Sequence, residues 1–326
     1  MRNNGFSAVL AGVALASVMH AGAAHALNVK SWVSSVGSDA LACASPLDAC
    51  ATFAGALAKT AAGGEIGVVT PGDYGAVTIG KTVNITNDGS GEAGILAGVF
   101  GGRGVTIDAG QGDIVGLRGL VIDGQGAGNI GIFVLQVSAA HIQNCVIRNF
   151  EQAIGGFGIA FTPPHTSQLF VSDTIIFNNG SSQGTGGIFI RPKEGVADVV
   201  LDRVHVENNV DGLLIDGTFS VGTGSHVVVR ESVFSGNAAN GIHAFTAPGG
   251  SSAFAYVERS SSVDNAQSGI LAEGPGATVL LNDSTVARNS LGITTANSGQ
   301  LISYRNNRIN NNVGPDGTPT GFYALN

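Results

Sequence analysis

Apolar and polar positions alternate in short bursts along most of this chain. Val199-Val200-Leu201, His226-Val227-Val228-Val229 and Thr278-Val279-Leu280-Leu281 are typical. The bursts are rich in Val, Ile, Phe and Thr, and Gly, Asn, Ser and Asp separate them. That length and composition predict strands, because a helix would show 3.6-residue spacing and richness in Ala, Leu, Glu and Lys. Gly and Asn suit the corners, where positive φ or side-chain turn bonds are needed.

The bursts repeat. Asn208 leads in four residues to Gly212-Leu213, Asn237 to Gly241-Ile242 and Asn265 to Gly269-Ile270. Asn179 and Asn289 lead to Gly187-Ile188 and Gly292-Ile293 over different lengths. With Asn311, these asparagines stand 29, 29, 28, 24 and 22 residues apart. Six residues before each lies a second column: Asp173, Asp202, Glu231, Arg259, Asp283 and Arg305. Two residues earlier an apolar column runs through Val171, Val200, Val229, Val257 and Leu281, broken at Ser303. A period of this size indicates a solenoid. Three short strands per period predict an all-β fold, a right-handed parallel β-helix with a short N-terminal capping helix. Asn179, Asn208, Asn237, Asn265, Asn289 and Asn311 are expected to stack coil over coil as a hydrogen-bonded ladder. The residues just before the apolar column are apolar too (Phe170, Val199, Val228, Tyr256, Leu280, Ile302), so one of the two columns must face outward or both must be buried at a bulge.

The ends read differently. Residues 1–26 have the form of a signal peptide: Arg2, an apolar run from Phe6 to Met19, and the cleavage pattern Ala24-His25-Ala26. The run is short of the ~20 residues that a membrane span needs. The expectation is export to the periplasm or outside the cell, with no transmembrane anchor after processing. Residues 27–65 are expected to form an N-terminal cap, with a helix within Pro46–Ala62 covering the open edge of the first coil. The β-helix would occupy 66–312, and a tail over 313–326 would cover the last coil. In an exported chain, Cys43 and Cys50 are expected to form a disulfide, and Cys145, inside a strand pattern, to be buried.

Composition narrows the function. Fifteen Lys and Arg, no basic run and a formal charge of −8 argue against nucleic acid as a partner. The 50 glycines, well above the usual share of about 7 %, answer to a turn-rich repeat. Counting four residues from each Gly of the Gly-Ile pairs reaches Arg191, Asp216, Phe245, Glu273 and Ala296, with His243 two residues from Gly241. Coils lie ~4.8 Å apart, so Arg191, Asp216, His243 and Glu273 would form one polar patch, the candidate catalytic group. Lys193 and Phe245 are the candidate substrate-binding neighbours. Paired acids beside Arg or His suit polysaccharide lysis or hydrolysis, where one group takes a proton and another gives it. The bland alternative is a row of solvated ion pairs worth little energy. Loops after these strands are long in the middle coils and shorten toward the C-terminus, which predicts a wall beside a groove. No cofactor is expected; calcium on the stacked carboxylates Asp173, Asp202, Glu231 and Asp283 is the one metal to consider.

The Asn-x-x-x-Gly-Ile units between Asn144 and Asn311 resemble the right-handed parallel β-helix repeat proteins of bacteria, in the broad pectin-lyase-like group. The segments Cys43 to Cys50, Thr52-Phe53-Ala54, Ala61 to Ile66 and Pro71-Gly72 resemble the N-terminal segment of secreted members without assigned activity. The polygalacturonase signatures Asn-Thr-Asp, Asp-Asp, Gly-His-Gly and Arg-Ile-Lys are absent, and no pectate-lyase-like cluster of calcium-binding aspartates is evident as a motif. The resemblance therefore implies a scaffold and no chemistry of its own. Two functions remain: an extracellular protein that binds or processes a polysaccharide, and a non-enzymatic surface, adhesion or matrix scaffold contacting a cell-surface component.

Overall fold

The computed structural model describes residues 1, 27–218 and 221–324. The expected leader thus falls outside the described residues. Among those described, the strands form three all-parallel sheets of 12, 9 and 10 strands. The chain visits each sheet in turn and returns one position further along. Every neighbour in a sheet is therefore the equivalent strand of the next coil. Side chains alternate across each strand. Ile132, Ile159, Ile188, Leu213, Ile242, Ile270 and Ile293 consequently stack in register inside the 9-stranded sheet, all buried.

From Asn144 onward each coil turns at two left-handed corners. The first holds Asn144, Asp173, Arg203, Glu231, Arg259, Asp283 and Arg305, all at positive φ. A bidentate pair joins Arg203 to Asp173 (2.7 and 3.0 Å), and Arg259 reaches Glu231 at 3.2 Å. The position after this corner is buried and carries hydroxyls, each of Ser232, Ser260 and Ser284 accepting a backbone N–H from the previous coil. Cys145 occupies the same position, unpaired, and burial pushes its thiol up to about 11.

The second corner carries the asparagine ladder. Asn179 donates its amide to Asn209 Oδ1 (2.9 Å), Asn209 to Asn237 (3.3 Å), Asn237 to Asn265 (2.8 Å), Asn265 to Asn289 (2.8 Å) and Asn289 to Asn312 (3.0 Å). Two expected members are displaced by one residue. Asn208 and Asn311 instead sit at φ 55° and 60°, as the exposed left-handed residues beside the ladder. In the doublet Asn208-Asn209 and the triplet Asn310-Asn311-Asn312 both corner positions are asparagine, and asparagine suits both. The same shift moves Arg203 into the place expected for Asp202, and Leu201 into the buried column in place of Val200. Val199 is likewise buried. The outward column on the 12-stranded sheet is therefore Phe170, Val200, Val228, Tyr256, Leu280 and Ile302, each half-buried.

The ladder explains the glycine of the Gly-Ile pairs. A Cβ on Gly187, Gly212 or Gly241 would come within 2.4 to 2.7 Å of the carbonyl oxygen of the equivalent glycine in the next coil. It would also lie 2.8 to 3.2 Å from a ladder amide. Only hydrogen fits between the sheet and the asparagine stack.

The helix is shorter than expected. A 3-10 turn covers Pro46–Asp48 and the α-helix only Phe53–Lys59, capped by Thr52, whose side chain accepts from Gly55 N. At Thr60 the chain changes to strand: its hydroxyl bonds to Ala56 O (2.8 Å) and to Ser31 Oγ (2.9 Å). Strand Asn28–Val33 already belongs to the 12-stranded sheet, so the cap region also supplies the outermost strand of the solenoid. The disulfide Cys43–Cys50 staples this region. At the other end Gly321–Phe322 extends the same sheet beyond residue 312.

A candidate functional groove on the nine-stranded sheet

The outer face of the 9-stranded sheet is hollowed along its length. Its strands end in two series of loops. The asparagine-corner loops form one wall, contributing Gly155, Gln183 and Gly184; the long loops after the strands form the other, contributing Pro192 and Lys193. Two adjoining hollows, of about 570 and 460 Å³, share Phe189 and Arg191.

The first hollow has an apolar floor. Ile130, Phe133, Phe157, Ala160 and Phe189 face outward and pack together. Phe157 and Phe189 stack at 4.6 Å and 7°. Cations flank the rings: Arg103 lies over Phe133 at 4.4 Å, Arg191 over Phe189 at 4.8 Å, and Lys193 stands on the rim.

The second hollow adds charged and polar side chains to an apolar lining of Phe189, Leu214, Phe245 and Leu271. Arg191, Asp216, His243, Phe245 and Glu273 all line it, while Lys193 lines the first with Arg191. In-register stacking brings them together. Asp216 pairs with Phe245 and Phe245 with Glu273 in successive strands, so a constant offset from the Gly-Ile glycine becomes a column. Arg191 Nη1 lies 3.8 Å from Asp216 Oδ2. His243 Nε2 lies 3.3 Å from Glu273 Oε2 without hydrogen-bond alignment, and that nitrogen is buried. Burial lowers the His243 pKa below the usual imidazole value, against the upward pull of Asp211, Glu273 and Asp216. The neutral ring is thereby favoured, able to accept a proton, with carboxylates placed to stabilise the imidazolium that results.

Counting from glycine missed two sets of residues. One is Asp211, a buried carboxylate directly before Gly212, which accepts from Gly184 N (3.3 Å), Asn240 N (3.2 Å) and Asn240 Nδ2 (3.1 Å). Asn240 in turn accepts from Ser268 N at 3.2 Å, so the groove edge carries a polar ladder of its own. The signal was the residue preceding each Gly-Leu or Gly-Ile pair. The other set is the aromatic floor. In Gly187-Ile188-Phe189-Ile190 strict alternation sends Phe189 outward between two core isoleucines. Among the described residues no group of three or more His, Cys, Asp and Glu is arranged to hold a metal ion, and no helix is long and apolar enough to cross a membrane.

The family described as "Right handed beta helix region" matches residues 103–253. Among solved structures, "Crystal structure of pectate lyase Pel9A" superposes with a TM-score of 0.54 over 89% of this chain and 81% of that chain, at 13% identity. No curated protein matches the sequence. An identity this low carries the fold and leaves the chemistry to the residues of the groove.

Proposed function

We propose that this chain, a right-handed parallel β-helix by its fold, is exported and that its groove binds and cleaves an extracellular polysaccharide. The carrying observation is the groove's division of labour. An apolar floor of stacked phenylalanines lies beside Arg191 and Lys193, and a half-buried His243, its pKa lowered by burial, stands among Asp216, Glu273 and Asp211 one step further along. An open cleft crossing several coils fits a long, repetitive ligand better than a small one. The solved pectate lyase structure supports the polysaccharide reading through shared architecture.

In this reading His243 is the proton acceptor. It either takes a proton from a water that attacks the anomeric carbon, the glycosidic C–O bond breaking and the leaving oxygen taking up a proton from solvent, or removes a ring proton so that the neighbouring C–O bond breaks and the leaving oxygen regains the proton. Arg191 and Lys193 hold acidic substituents of the sugar. The two routes differ in product: new reducing ends from hydrolysis, unsaturated ends from elimination.

The test is a panel of neutral and acidic polysaccharides offered to the chain from Leu27 onward, followed by thermal shift and release of both kinds of ends. Product formation is expected, with His243→Gln and Arg191→Ala lowering it at least roughly a hundredfold. Binding without products would limit the protein to a saccharide-binding role. No shift with any polymer would sink the proposal and favour a surface scaffold, for which the outward column from Phe170 to Ile302 is the available face.

A further inference from the structure

The two hollows differ in charge, and this deepens the saccharide reading, on which it rests. Three cationic side chains, Arg103, Arg191 and Lys193, surround the aromatic floor. Three carboxylates, Asp211, Asp216 and Glu273, line the second hollow, with Gln183, Asn240 and Gln267 as neutral polar neighbours. The cation facing them is Arg191, at 3.8 Å from Asp216 on the boundary between the hollows. Burial disfavours the charged form of His243, so the ring offsets these carboxylates less than a free imidazole would. Asp211 and Asp216 are both buried, so water screens them weakly.

We propose that the groove reads a polysaccharide of mixed charge, in which an acidic sugar lies over the Phe133–Phe189 floor and an amino sugar lies in the adjoining hollow that Asp211, Asp216 and Glu273 line. A uniform polyanion would place a carboxylate in the acidic hollow for each one it placed on the arginines. Like charges in a partly dry cleft repel strongly, and such repulsion sets specificity as effectively as attraction does. A uniform polycation fails in the first hollow for the same reason. An alternating chain satisfies both, because its ammonium group would enter a hollow whose fixed charges beyond Arg191 are carboxylates.

Three probes separate the cases at about pH 6, where free sugar amines are largely protonated: a polymer alternating glucuronic acid and N-acetylglucosamine, the same polymer after removal of the N-acetyl groups, and a homopolymer of galacturonic acid. Calorimetry is expected to show the de-N-acetylated polymer binding roughly tenfold or more tighter than either other, a gap of ~1.4 kcal/mol. The double variant Asp216→Asn, Glu273→Gln should erase that preference, with circular dichroism checking that it folds. Arg191→Ala should weaken all three. Equal or tighter binding of the homopolymer, lost in Arg191→Ala, would overturn the mixed-charge proposal while leaving the saccharide groove intact. Binding of none of the three, nor of any polymer in the wider panel, would overturn both.

Discussion

The side-chain amide of Asn312 donates to Asp316 Oδ1 at 2.7 Å, and Asn312 N donates to the same oxygen at 3.2 Å. This is how the asparagine ladder ends. From Asn179 to Asn289 each ladder asparagine's oxygen accepts from the coil before while its amide donates to the coil after. The last amide needs a partner that accepts and has nothing further to donate, and a carboxylate meets that requirement.

Asp316→Ala should therefore unravel the solenoid from its C-terminal end. The expected loss is about 1–2 kcal/mol, read by thermal unfolding. Hydrogen exchange should rise first around Asn312 and spread toward Asn289. Uniform exchange along the whole ladder would contradict a terminal role.

The displaced register makes a sharp contrast between adjacent asparagines. Asn209 is buried, accepts from Asn179 and donates to Asn237. Asn209→Ala should cost roughly 2–4 kcal/mol, because it strands both neighbours. Asn208, exposed at φ 55°, should tolerate glycine within about 0.5 kcal/mol. Denaturant midpoints of the two variants decide between them; the reverse order would restore Asn208 to the ladder.

Gly212→Ala tests the close approach of coil to coil. The new Cβ would lie 2.4 Å from Gly241 O and 3.0 Å from Asn237 Nδ2. A loss of about 3 kcal/mol is expected, whereas Gly112→Ala, with open space around its Cβ, should stay within roughly 0.5 kcal/mol of the parent.

His243 should make stability depend on pH. Its folded pKa is depressed by burial, so the unfolded chain takes up the proton more readily. Its share of stability is complete above the unfolded value, about 6.5, and falls as pH drops from there toward the lower folded value. Urea unfolding from about pH 8 to about pH 5 should show that slope, and His243→Gln should flatten it. An unchanged slope in the variant would mean that other groups carry the acid sensitivity.

The groove's polar residues were legible before the fold was known because a parallel solenoid turns sequence offset into spatial column. Arg191, Asp216, Phe245 and Glu273 share one distance from a Gly-Ile glycine and so share one hollow. The aromatic floor was harder to see, since Phe189 between Ile188 and Ile190 reads as core until the sheet's outer face is known. Asp211 reads as a turn residue, and only its bonds to Gly184 and Asn240 reveal a buried carboxylate at the groove edge.

By itself the sequence determined the repeat, the strand class, the two kinds of corner and the glycine that each coil requires. The strands and corners follow from local rules, side-chain period and tolerance of positive φ; the glycine shows in the sequence as a repeat, and its reason is the next coil's carbonyl and ladder amide. Tertiary structure alone decided which of two adjacent asparagines is buried, where the capping helix stops, and which apolar column faces outward. Those choices are made between neighbours one residue apart with equal local preferences, so the contact with the next coil settles them. The lowered pKa of His243 is of the same kind, because its cause is the packing around the ring and no property of residue 243 alone.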